Sequence, residues 1–88
     1  MKKDIHQSVH NRLKRIEGQV RGLQKMVEEH TYCVDVITQS SAIRNALSAV
    51  EDLMLENHLA EHVVHQMKMG KGDMASKEIL KVYRLKRK

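Results

Sequence analysis

One uninterrupted stretch, from Thr31 to Gln66, constrains this chain more than any other feature. It contains neither proline nor glycine, and apolar residues recur along it in a seven-residue pattern. A single helix over these residues would be about 54 Å long, at a rise of about 1.5 Å per residue. In a chain of 88 residues, such a helix needs other helices to cover its apolar face. We therefore predict that a second copy of the chain covers what the remaining segments leave exposed.

The segment before it, from about Ile5 to His30, has a heptad pattern of its own. Its apolar positions alternate between spacings of four and three: Val9, Leu13, Ile16, Val20, Leu23 and Val27. This pattern predicts an amphipathic helix that packs against other helices, with a break at His30 and Thr31. Gly18 and Gly22 share one face of this helix. We expect them to permit close helix packing, with approach of a nucleic-acid backbone as the alternative.

The end of the chain predicts a turn followed by a short helix. Gly70 and Gly72 are expected to end the long helix. Asp73 or Ser76 would then cap a third helix, from about Lys77 to Leu85. The composition supports helices over strands, because the chain has two tyrosines but no phenylalanine or tryptophan. We predict an all-α fold with three helices per chain, in a single domain over residues 1–88.

The charge of the chain makes a polyanionic partner plausible, although charged side chains also serve simply to face water. Sixteen lysines and arginines stand against eleven acids, for a net charge of +5. Lys14, Arg21 and Lys25 form one stripe on the first helix, and Arg12 and Arg15 flank it. Because no aromatic side chain accompanies the stripe to stack on bases, phosphates of double-stranded DNA fit it better than a single strand does.

Other features bear on the compartment and on catalysis. No apolar run is long enough to span a membrane, and the first residues lack the apolar core of a signal peptide. The lone cysteine fits a reducing cytosol, so we expect a cytoplasmic protein without membrane contact. There is no glycine-rich loop and no evident oxyanion device, and three helices in 88 residues leave little room for a substrate pocket. We therefore expect a binding protein rather than an enzyme.

Cys33, His58 and His62 are the candidate metal ligands. The two histidines are four positions apart, which places both imidazoles on one helical face, as in many metal sites. Cys33 lies 25 positions before His58, which is roughly 37 Å along a straight helix. If the thiolate joins the imidazoles, it must come from a second chain packed antiparallel. A thiolate with imidazoles suits Cu(I), Zn(II), Ni(II) or Co(II).

The residues alone leave two other readings open. Cys33 could act as a redox or electrophile sensor without any metal, because a helix N-terminus favours the thiolate. The chain could also be a structural helical assembly protein whose histidines have no special role.

Several stretches of the sequence closely resemble the copper-sensing transcriptional repressor family, which includes CsoR and the nickel/cobalt- and formaldehyde-sensing RcnR and FrmR relatives. The resemblance spans nearly the whole chain. It rests on residues 11–22 (NRLKRIEGQVRG), residues 32–36 (YCVDV), Gln39, residues 41–43 (SAI) and residues 56–66 (ENHLAEHVVHQ).

The resemblance implies antiparallel helical-bundle dimers that assemble as a dimer of dimers. It also implies that the apo tetramer binds operator DNA, and that metal binding releases it to derepress efflux or detoxification genes. The ligands would be Cys33 of one subunit and His58 and His62 of the other, with Tyr32 and Glu78 orienting a ligand histidine. We expect DNA phosphates to be contacted by Arg12, Lys14, Arg15, Arg21 and Arg44.

The resemblance favours Cu(I) as the metal, although the sequence departs from the copper prototype. That subfamily usually carries Cys-His-Cys, whereas His62 stands in the last place here. Ni(II) or Co(II) sensors add an N-terminal histidine, but that position falls at Met1, and the nearest histidine is His6. Formaldehyde sensors have a proline after the first methionine, where this chain has Lys2. Tyr32 and Glu78 match the copper sensors, so Cu(I) is preferred over Ni(II), Co(II) or Zn(II), with His65 or His6 as further candidate ligands.

Overall fold

The computed structural model describes residues 1–87, and their regular structure is helical. Helix α1 spans Lys3–Glu28 and helix α2 spans Cys33–His58. A π-helical segment, Leu59–Val63, follows α2 directly and leads into helix α3, Val64–Lys68. Helix α4 spans Gly72–Lys86. Because helical structure runs unbroken from residue 33 to residue 68, the chain forms three helical stretches, as predicted.

The chain divides into two compact units, Met1–Leu55 and Glu56–Lys88. In the first unit, one face of α1 packs against α2. Its core contains Val9 and Ile16 of α1 with Ile43 and Val50 of α2. Four partly buried residues surround this core: Ile5, Leu23, Ala46 and Leu53. These are apolar side chains at heptad spacing, so burial of one seam explains why the two helices pair.

Only half of the predicted α1 seam is covered. Val9 and Ile16 are buried, and Leu23 packs against the same core. The alternate positions, Leu13, Val20 and Val27, remain 42%, 41% and 59% exposed. On α2, Leu47 and Met54 are also exposed. We call these five residues the open seam, and it is an apolar surface that the chain itself does not cover.

Both turns end their helices with the same hydrogen-bond pattern. After α1, His30 has a positive φ of 57°, and the Thr31 amide donates to the Met26 carbonyl at 3.0 Å. After α3, Gly70 has a φ of 74°, and the Lys71 amide donates to the Gln66 carbonyl at 2.7 Å. These are Schellman turns, in which a left-handed residue reverses the chain. The observed ends agree with the break expected at His30 and with the glycine turn.

Two features differ from the sequence-based expectation. The first is the π-helical segment, which the sequence pattern did not predict. The second is the start of the last helix. Helix α4 begins at Gly72 and not at Lys77, so the predicted start was wrong by more than one helical turn. The reason is tertiary packing: Ala75, in the first turn of α4, is only 1% exposed. None of the helices within residues 1–87 combines the length and the hydropathy that crossing a bilayer requires.

Candidate metal site and DNA-binding surface

The second unit brings His58 and His62 together. His58 is the last residue of α2, and His62 lies in the π-helical segment. Their ring centroids are 5.2 Å apart and the ring planes are tilted by 31°. His62 is exposed and His58 is half-buried. Two imidazoles this close, on one side of a helix, could bind one ion after modest side-chain rotation.

Glu78 of α4 lies against the first of these histidines. His58 Nε2 is 3.2 Å from Glu78 Oε2. An ionised carboxylate can only accept, so Nε2 is the nitrogen that carries the proton and donates. The lone pair of the neutral ring is then on Nδ1. Proteins usually orient a metal-binding histidine by a hydrogen bond from its other ring nitrogen to a carboxylate or a carbonyl.

Two further polar residues belong to this part of the molecule, and neither was predicted from the sequence to have a role in the site. Gln66 Nε2 donates to the same Glu78 oxygen at 3.5 Å. Asn57 is only 8% exposed, and its Nδ2 donates to Glu61 Oε2 at 3.4 Å. The sequence did contain a signal for Asn57, because it continues the seven-residue series of Ile43 and Val50. An amide at such a position is buried by the helix pattern and must find a polar partner.

Cys33 begins the helix that His58 ends. It is the first residue of α2, in the first unit, and it is exposed. Tyr32 precedes it and is 69% exposed, while its carbonyl accepts from the Asp35 and Val36 amides. Within residues 1–87 of a single chain, no three His, Cys, Asp or Glu side chains are arranged to hold a metal ion.

The predicted phosphate-binding residues are all on the surface. The exposed set is Arg12, Lys14, Arg15, Arg21 and Arg44. Arg12 and Arg15 line a shallow polar depression at the N-terminal half of α1. Arg21 forms an ion pair with Glu17 one turn earlier, with both side chains largely exposed. Such pairs contribute little free energy, so the guanidinium can exchange this carboxylate for a phosphate.

The two glycines of α1 face open space. A Cβ atom added at Gly18 or Gly22 would have no neighbour within 4 Å. Packing inside one chain therefore does not require either glycine. The favoured packing explanation then needs a second chain, and the alternative explanation needs nucleic acid.

Comparison with known proteins gives consistent results. The family model for metal-sensitive transcriptional repressors matches residues 5–85. The copper-sensing transcriptional repressor CsoR of Bacillus subtilis (strain 168) is 49% identical over 74 residues, which cover 84% of this chain and 73% of that protein.

Two solved structures share the fold. The copper-sensing repressor CsoR with Cu(I) from Geobacillus thermodenitrificans NG80-2 has a TM-score of 0.91 and 41% identity, covering 100% of this chain and 92% of that one. The nickel-responsive transcriptional regulator InrS has a TM-score of 0.76 and 35% identity, covering 89% and 88%. These matches confirm the resemblance seen in the sequence, the all-α fold of three helical stretches and the expectation that the chain is not an enzyme. The chain therefore belongs to the metal-sensitive transcriptional repressor family.

Proposed function

We propose that this protein is a copper-responsive repressor whose apo form binds operator DNA and whose Cu(I) form releases it. The observation that carries the proposal is the imidazole pair of His58 and His62, with Glu78 behind His58. This arrangement occurs in a chain whose structural relative at 41% identity contains Cu(I). Ni(II), Co(II) and Zn(II) remain the alternative metals, and the similarity to a nickel-responsive regulator supports testing them.

The proposed site is shared between two chains. Cys33 and His58 are the first and last residues of a 26-residue helix, so they cannot both reach one ion from the same helix. We infer that the thiolate comes from a second subunit packed antiparallel, and that Tyr32 accompanies it. The open seam supports this assembly, because a second copy would remove its apolar side chains from water. A dimer of such dimers is the assembly that we expect to bind DNA.

The donor set fits a soft ion. The thiolate of Cys33 and the imidazoles of His58 and His62 are three ligands of the kind that Cu(I) accepts. With Nε2 donating to Glu78, Nδ1 would be the His58 nitrogen available to an ion.

The DNA side of the proposal rests on the surface of α1. Arg12, Lys14, Arg15 and Arg21 are exposed there, and Arg44 is exposed on α2. Their guanidinium and ammonium groups would neutralise phosphates, and Arg can do so with two parallel hydrogen bonds. If metal and DNA favour different arrangements of the subunits, each weakens the other by the same factor. A repressor acts where the DNA is, so we place it in the cytoplasm.

A titration tests the proposal. The reduced full chain is bound to a fluorescent duplex selected from a random pool by the apo protein, and Cu(I), Ni(II), Co(II) or Zn(II) is added without oxygen. We expect Cu(I) to lower the anisotropy at one ion per subunit. C33S and H62A should abolish this response, while H10A, which alters an exposed α1 histidine, should retain it. Release by another metal alone would overturn the copper assignment.

A thiol sensor is the second candidate function, because Cys33 is exposed at the start of a helix. It makes a different prediction from metal sensing. An oxidant or aldehyde would release DNA from the wild type and from H62A, but not from C33S. If no metal releases DNA in the titration and this pattern is observed, the thiol sensor replaces the copper proposal.

A further inference from the structure

Gln66 links two helices of the second unit through a single carboxylate oxygen. It lies in α3, and its Nε2 is 3.5 Å from Glu78 Oε2 in α4. The same oxygen accepts from His58 Nε2 at 3.2 Å. At 3.5 Å the amide contact is a long hydrogen bond, so its main effect is on orientation.

The other half of the Gln66 amide supports a role in orientation. Its Oε1 is buried and has no hydrogen-bond partner among the described residues. An unpaired buried acceptor costs free energy, so a glutamine with no other contact would rotate to place this oxygen in water. Exchanging the two amide atoms would not help, since Oε1 would then face the Glu78 carboxylate. The observed orientation is the one in which the amide donates to Glu78.

We propose that Gln66 is a positioning residue that holds the Glu78 carboxylate against His58. With Oε2 fixed between two donors, His58 keeps its proton on Nε2 and presents Nδ1. The regulatory consequence rests on the proposed function. Gln66 connects the ligand histidine to α3 and α4, and it thereby carries part of the coupling between metal and DNA. Gln66 does not touch the ion, so its removal affects this coupling more than metal affinity.

The first test needs no metal. Imidazole ¹⁵N shifts of His58 are measured in the apo full chain at pH 8, for the wild type, Q66M and Q66E. Methionine matches the length of glutamine but cannot donate, and glutamate places a second carboxylate beside Glu78. Q24M makes the same change at an exposed α1 glutamine and serves as the control. Circular dichroism confirms that each variant retains its helices.

We expect the wild type and Q24M to show the Nε2–H tautomer of His58 almost exclusively. Q66M and Q66E should show a mixture of the two tautomers. An unchanged His58 spectrum in both Gln66 variants would overturn the proposal. If only Q66M loses its helices, Q66E decides the result.

The second test measures coupling. Cu(I) affinity is obtained by competition with a chromogenic chelator, and release is obtained from the DNA anisotropy titration. Q66M should bind Cu(I) with an affinity close to that of the wild type, but its metal-induced loss of DNA affinity should shrink by about fivefold. In an E78A background, Q66M should add nothing. Equal coupling in Q66M and the wild type would overturn the regulatory role. If Cu(I) does not release DNA from the wild-type protein, the proposed function is wrong. The positioning role of Gln66 is then tested by the tautomer measurement alone.

Discussion

The two units of this chain are stabilised in different ways. The first unit buries Val9, Ile16, Ile43 and Val50 in an apolar core, whereas the only buried hydrophobic residue among the described part of the second unit is Ala75. The second unit instead contains polar contacts between helices, centred on Glu78. Apolar burial resists small displacements, because interiors are close-packed. Hydrogen bonds of 3.2–3.5 Å between half-exposed groups can be rearranged at low cost. The second unit is therefore the part suited to respond to a ligand.

The largest effect is expected in the apolar core. Replacing Ile43, which is 6% exposed, by alanine should lower the free energy of unfolding by about 2–4 kcal/mol, because a cavity remains. Urea unfolding followed by circular dichroism measures the loss. Leu13 is the matched control within the open seam. If a second copy covers it, L13A should lower the midpoint more at high protein concentration, where the wild type is associated, than at low concentration. A midpoint that does not change with concentration would contradict the proposed interface.

A smaller effect on stability, but a large one on the response, is expected at Glu78. E78Q removes the charge that orients His58 and should lower Cu(I) affinity or Cu(I)-driven DNA release by about 10- to 100-fold. The unfolding free energy should change by less than about 1 kcal/mol, because the side chain is half-exposed. E28Q changes an exposed glutamate of α1 and should leave both quantities unaltered. A large loss of stability in E78Q would show that the carboxylate is mainly structural.

The two helix ends allow a direct comparison between the units, with effects near 1 kcal/mol. His30 and Gly70 occupy the same left-handed position, with φ of 57° and 74°. H30G should stabilise the chain by about 0.5–1 kcal/mol, since glycine adopts this region without steric cost. G70A should destabilise it by about 1 kcal/mol for the opposite reason. Thermal unfolding of both variants gives the sign of each change in stability. If G70A were more stable than the wild type, Gly70 would not have the left-handed conformation described here.

The smallest effect is expected on the exposed face of α1. E17Q removes the ion-pair partner of Arg21, and the unfolding free energy should change by less than about 0.5 kcal/mol. The freed guanidinium should bind DNA about twofold more tightly at low salt, because no carboxylate competes with the phosphate. Anisotropy at two salt concentrations measures this effect. Weaker binding by E17Q would mean that Glu17 orients Arg21 for DNA.

Local patterns predicted the helices and most of their ends. The heptad series identified α1, and the sequence placed the breaks near His30 and Gly70. The π-helical segment has no comparable signature, because Leu59–Val63 are ordinary helix-forming residues. The start of α4 was missed, since a glycine at position 72 argues for a turn, whereas burial of Ala75 favours the helix.

The site was predicted only as far as one helix could reveal it. The four-residue spacing is enough to predict that His58 and His62 lie side by side. The family resemblance, and not the spacing, suggested Glu78, which lies 20 positions from His58 in the sequence. Gln66 could not be found in either way, because its contact depends on how α3 meets α4. The roles of Cys33, Tyr32 and the basic residues stay predictions, since each depends on a second chain or on DNA.

The open seam of α1 and α2 has a consequence for how the response depends on the amount of protein that the cell makes. If a second copy covers Leu13, Val20 and Leu47, which one chain leaves exposed, the chain gains stability when two copies meet. The amount of assembled sensor then rises more steeply than the amount of polypeptide synthesised. A cell that makes few copies would contain a disproportionately small number of functional sensors. Translation rate would therefore set the sensitivity of the response, alongside the affinity of the site for its ion.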